Sequence, residues 1–215
     1  MNQFKHAWNF AFNNWQYFLI LAAPVMAVEI ATASLIAPVQ NVTQPEDLMT
    51  FIEDNSMVIG TIGLLGMVLS ISFIGGLFVA YNAKEEGIDI EPLSALFSGL
   101  KKFFPILGAY LLASIAVFFS AFLLILPAFY IAGRLSLFAP FIMFENKSIT
   151  ESLQLSWEKT DEHGGILFGL TLLFFLITML VASIVQSLLV PGIAQYILLG
   201  LVEYIIVIPW GYVYF

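Results

Sequence analysis

The chain has 215 residues, 60% of them hydrophobic and 10% charged, with a net charge of −8. Soluble domains carry about 25% charged residues, so this chain has too little polar surface to coat a water-soluble particle, and its mean hydropathy of +0.96 marks an integral membrane protein. A span takes roughly 20 apolar residues, so the length holds about six spans in one membrane domain, 1–215, and excludes a separate soluble catalytic domain.

In chain order, Phe4, Trp8, Ala11, Trp15 and Phe18 recur at three- and four-residue spacing. They form the apolar stripe of an amphipathic helix suited to the membrane interface. The first span follows at 17–39 and contains Pro24 and Glu29. Its aromatic-rich start reads as a retained segment, not a cleaved leader. Residues 40–55 form an acidic polar loop. The second span, 56–81, holds Gly60, Gly63, Gly66, Ser70, Gly75 and Gly76, small residues that let helices approach closely in lipid.

In the break at 82–102, Pro92 suits a helix start, and Leu93, Leu96, Phe97 and Leu100 make a second amphipathic stripe. The third span, 103–126, meets Pro127 without a charged loop, so a tight turn leads into the fourth, 127–144. Ser148 and Glu151 then have capping-box spacing. Ile149, Leu153 and Trp157 share one face of a third amphipathic helix. The fifth span is 165–189 and the sixth 193–215, joined through Val190-Pro191-Gly192. The expected fold is all-α and polytopic: six transmembrane helices and three cytoplasmic interfacial helices, arranged as three helix-hairpin repeats beginning near Phe4, Pro92 and Ser148.

Every Lys lies in the amino-terminal segment or in the breaks at 82–102 and 145–163. With six spans, the positive-inside rule puts these regions and both termini in the cytoplasm. The interfacial helices then present Trp8, Trp15, Leu96, Phe97 and Trp157 to the cytoplasmic headgroups.

Three ionisable residues, Glu29, Arg134 and Glu203, fall inside the expected spans. Each costs about 3 kcal/mol or more if it faces lipid. The simplest expectation is a buried charge network in which Arg134 pairs with Glu29, Glu203 or both, leaving a surplus acid. Such a network either fixes helix register or responds to a proton or ligand.

Other chemistry is sparse. The chain has no cysteine, hence no disulfide, thiol nucleophile or cysteine metal site. His163 lies beside Asp161 and Glu162, but adjacent helical residues do not converge, so this stretch reads as a solvated turn and not a metal site. Metalloprotease, phosphate-loop and serine-elbow patterns are missing. No catalytic residue and no cofactor is called for, and the acidic balance points away from nucleic acid.

Residues 127–157 include Pro127, Arg134, Glu145, Ser152, Ser156 and Trp157, a Pro-led span carrying an Arg, an acidic end and a Ser-x-x-x-Ser-Trp helix. This pattern resembles the YciC-like family of uncharacterised bacterial inner-membrane proteins. It is also similar to the membrane domain of some glycerophosphodiester phosphodiesterases. The resemblance implies a bacterial inner-membrane location and six spans, and carries no activity. It also leads one to expect a basic carboxy-terminal tail beyond Phe215. The reading that follows is a non-enzymatic protein organising lipid or a membrane assembly, with membrane lipids, another membrane protein or a second copy as partners. The alternative is a small transporter or channel for a lipid-like or amphiphilic substrate that uses the charges within the membrane.

Overall fold

In hydrocarbon a backbone N–H or C=O has no water to bond, so an apolar run must satisfy itself as helix. The computed structural model, which describes residues 2–39 and 42–215, follows that rule, with helices and no strand among the described residues. Its helices are α1 (Asn2–Asn13), α2 (Trp15–Ile36), α3 (Pro45–Asp54), α4 (Ser56–Glu85), α5 (Pro92–Lys101), α6 (Phe103–Leu123), α7 (Ile125–Leu135), α8 (Phe138–Phe144), α9 (Ile149–Lys159), α10 (Gly164–Leu188) and α11 (Ile193–Val213). Six segments are long and apolar enough to cross a membrane: Trp15–Val39, Ser56–Glu85, Phe103–Leu123, Ile125–Phe144, Asp161–Leu188 and Ile193–Val213. The fold is all-α and polytopic.

Two local features differ from expectation, and the expected tight turn between the third and fourth spans is present just ahead of the expected junction. The acidic loop contains helix α3, because Pro45 sits at its first position and Glu46 and Asp47 occupy its first turn, where fixed φ and negative charge both favour a helix start. The turn between α6 and α7 is the single extended residue Leu124, ahead of Pro127. Pro127 falls in the first turn of α7, where its missing N–H has no helical partner to lose. The fourth span is broken: α7 stops at Leu135 and α8 begins at Phe138. Pro140 accounts for the break, since its ring would collide with the carbonyl of Ser136 in a continuous helix.

α4 extends to Glu85, past the expected boundary. It ends at Gly87, whose φ of +68 suits glycine and lets Ile88 N–H donate to the Ala83 carbonyl at 2.8 Å.

The core gathers around Tyr81. Its ring lies 5.5 Å from Phe18, 5.8 Å from Phe78 and 5.5 Å from Tyr212, and its hydroxyl donates to the Ile208 carbonyl at 2.6 Å. The short helices pack in different ways: α1 against α11, α5 against α4, and α9 against α6 and α8. α5 touches α4 backbone to backbone through Gly75, Gly76 and Gly99. The amino-terminal half of α4 is looser, and nothing lies near Gly60 or Gly63.

Candidate functional site

α2 and α11 run side by side and leave two cavities along their seam. Tyr204 stands between the two. Its ring is buried against Phe73 at 5.3 Å, and its hydroxyl donates to Glu29 Oε1 at 3.0 Å. On one side is an apolar cavity of about 270 Å³, walled by Trp8 and Phe12 of α1, Trp15 and Leu19 of α2, and Ile205 and Ile208 of α11. Trp15 and Ile205 are exposed at its edge, so the cavity reaches the surface that faces lipid.

On the other side is a cavity of about 350 Å³ lined by Glu29, Ile30, Tyr196, Gly200 and Glu203. Glu203 is exposed and Glu29 half-buried. Tyr196 is only 8% exposed. Glu29 Oε2 and the Tyr196 hydroxyl are both buried without a hydrogen-bond partner. No Lys, Arg or His lines either cavity. At 1.5 Å of rise per residue, Glu29 lies about 20 Å from the Trp15 end of α2 and Glu203 about 15 Å from the Ile193 end of α11, so both are well inside their spans.

Arg134 is elsewhere, which corrects the expected three-residue network. Its Nε donates to Thr160 Oγ1 at 2.9 Å, its Nη1 to the Tyr130 hydroxyl at 2.7 Å, and its Nη2 to the Trp157 carbonyl and to Asp161 Oδ1. The guanidinium carbon also sits 4.3 Å over the Trp157 ring. The physical reason is the chain path. α9 folds back under the break in the fourth span and brings Thr160 and Asp161 to the guanidinium before either glutamate can reach it.

The same helix repairs the break. Ser156 Oγ donates to the Arg134 carbonyl at 2.8 Å and accepts from Leu137 N–H at 3.0 Å. Both backbone groups are freed by the interruption, and buried backbone groups must be paired. Arg134, Ser156 and Trp157 therefore form a structural joint between the fourth span and α9. Glu145, by contrast, lies at the surface beside Lys147.

Of the residues expected at the interface, Trp15, Phe97 and Trp157 are exposed, whereas Leu96 is buried in the core. Trp8 is half-buried, stacked on Phe12 and Phe174 at 5.6 and 6.3 Å. Among the described residues no three His, Asp or Glu side chains gather as a metal set would.

Tyr196 and Tyr204 carry much of the seam, and neither was singled out from sequence. A signal existed for the first: Tyr196, Gly200 and Glu203 lie at i, i+4 and i+7, one helical face. Comparison with protein families, with curated proteins and with solved structures finds no match.

Proposed function

We propose that this is a non-enzymatic membrane protein that organises lipid by holding a lipid-like amphiphile in the seam between α2 and α11. The observation that carries the reading is the apolar cavity bounded by Trp8, Trp15, Leu19 and Ile208. It opens at the surface beside Trp15 and Ile205, and Tyr204 on its wall donates to Glu29, which lines a second pocket with polar groups. A mainly apolar recess with a few convergent polar groups is the usual form of a small-molecule site.

The setting follows from the charge pattern and the resemblance at 127–157: a bacterial inner membrane, with both termini and the three short helices on the cytoplasmic side. Exposed Trp15, Phe97 and Trp157 on that side supply contacts to the headgroup layer. A carrier for the same amphiphile is the second reading. It is favoured by Glu29 and Glu203 deep within their spans, where transporter sites commonly lie.

Native mass spectrometry of protein extracted gently from its own membrane tests the reading. The expected result is one defined lipid or amphiphile retained at fixed stoichiometry and lost when Leu201→Trp, a substitution on the α11 wall, fills the apolar cavity. Protein that carries no lipid, or holds a partner protein through another face, overturns it. Movement of the retained molecule across a proteoliposome bilayer, abolished by Glu29→Gln, selects the carrier form.

A further inference from the structure

Helix α3, in the acidic break between the first two spans, is amphipathic and its apolar side is uncovered. Placed at about 100° per residue, Leu48, Met49, Phe51 and Ile52 fall on one arc. Glu46, Asp47, Thr50, Glu53 and Asp54 fill the opposite arc, with no member of either set inside the other. No residue of α3 is buried: Leu48, Met49 and Ile52 are exposed and Phe51 is half-buried. So complete a division of sides, in a helix that supports no core, calls for an apolar surface outside the fold. Asn55 alone joins α3 to the span that starts at Ser56, and its side-chain amide donates to the Phe51 carbonyl at 2.9 Å. This joint holds α3 at the membrane boundary. The first turn of the span exposes Met57 and Val58, so lipid begins at the joint.

We propose that α3 docks by this apolar arc on the surface of the lipid bilayer and favours lipid without net charge. Read as six crossings, the chain brings α3 out one span after the amino-terminal segment, whereas the lysine-bearing breaks follow two and four spans. α3 is then a surface helix on the membrane face opposite α1, α5 and α9. An apolar arc sunk to the acyl boundary, with its polar arc in water, is the geometry of an interfacial helix. The polar arc carries four carboxylates, and none is paired with Lys or Arg among the described residues. An anionic leaflet attracts basic segments, and the same field repels this one. A second copy fits worse than lipid. Symmetric pairing sets a patch against itself, which brings two such acidic arcs together and adds no cation.

The chain has no cysteine, so single spin labels can be placed without altering it elsewhere. Labels on Leu48→Cys, Met49→Cys and Ile52→Cys are compared with labels on Glu46→Cys, Thr50→Cys and Glu53→Cys in phosphatidylcholine vesicles. All six positions are exposed, so the fold survives the change. The relaxing agents are oxygen, which concentrates in lipid, and an uncharged nickel chelate, which stays in water. The expected ratio of oxygen to nickel collisions is at least about fivefold higher at the three apolar positions than at the three polar ones. Replacing about a third of the lipid with phosphatidylglycerol lowers the ratio at the apolar positions at least about twofold, and Asp47→Asn with Asp54→Asn removes most of that fall. High nickel contact at all six positions overturns the proposal and stands α3 in water. Low contact with both agents at the apolar positions, with spin–spin broadening between molecules, overturns it in favour of a second copy. An unchanged ratio in phosphatidylglycerol overturns the preference for neutral lipid. None of these outcomes bears on the seam between α2 and α11.

Discussion

Asp161 Oδ1 lies 2.9 Å from Arg134 Nη2, yet the carboxylate side chain is 76% exposed and the arginine side chain 2%. The two ends of this ion pair therefore have very different energetic weight. Removing an exposed carboxylate costs about 1 kcal/mol or less, and Asp161→Asn keeps an acceptor near the guanidinium. Arg134→Ala strips partners from Thr160, Tyr130 and the Trp157 carbonyl and opens a void beside Trp157. That sums to about 2–5 kcal/mol. Thermal unfolding in nanodiscs should show a small fall for the first variant and a large one for the second. Arg134→Lys should sit near the alanine variant, because one ammonium cannot reproduce a planar fork reaching four acceptors.

Ser156 makes a second, independent claim on the same joint. Ser156→Ala orphans Leu137 N–H and leaves the Arg134 carbonyl only the longer bond from Thr160 Oγ1 at 3.1 Å, at about 1–3 kcal/mol for a buried polar group left unpaired. Hydrogen exchange distinguishes this from general loosening. The Leu137 amide should lose protection by more than tenfold, while the α4 amides around Tyr81 stay unchanged.

These residues show where sequence reading ran out. Span positions were legible because lipid permits an apolar run little except helix. The Pro140 break is a local steric effect and was equally open to reading. Partnership was not legible. Glu29, Arg134 and Glu203 share a rough depth, but depth does not fix which helices are neighbours. Asp161 stood in a polar break and read as solvated, although the return of α9 carries it to Arg134. Leu96 read as a lipid-facing member of an amphipathic stripe, whereas α5 turns that edge into α4.

The glycines of α4 and α5 are of two kinds. A Cβ built on Gly99 of α5 would stand 1.9 Å from the Ser72 carbonyl oxygen and 2.6 Å from Gly76 N, both backbone atoms of α4. Neither can retreat without separating the helices. Gly99→Ala should therefore cost at least about 3 kcal/mol or prevent accumulation of folded protein, beyond the usual range of overpacking. A Cβ at Gly60 or Gly63 meets nothing within 4 Å. Alanine there should raise stability by about 0.5–1 kcal/mol through helix propensity. Melting temperatures of the three variants check the contrast.

The start of α9 carries a pH dependence. Ser148 Oγ donates to Glu151 Oε2 at 2.7 Å and Ser148 N–H does so at 3.1 Å. These bonds, from the side chain first, hold the Glu151 carboxyl below its usual value. A depressed carboxylate stabilises the fold above its unfolded pKa of about 4.3 and loses that contribution as pH falls through the folded value. An NMR titration following the Ser148 amide should show a midpoint below the ordinary glutamate range. Glu151→Gln should abolish the transition and leave the helix in place.

Glu29 and Tyr204 supply the last test. The Tyr204 hydroxyl is the sole hydrogen-bond donor to Glu29 among the described residues. In Glu29→Gln the amide oxygen can still accept that bond, and a charge within the span is removed, so the variant should fold and melt at the same temperature as the parent or higher. Tyr204→Phe does the reverse: the carboxylate keeps its charge and loses its donor, at about 1–3 kcal/mol. Combining the two changes separates hydrogen bonding from charge. If Glu29 resists burial mainly because it is charged, Tyr204→Phe should cost clearly less when Glu29→Gln is already present than in the parent. A double-mutant cycle of melting free energies measures that difference. An equal cost on both backgrounds would assign the effect of Tyr204 to its packing on Phe73 instead.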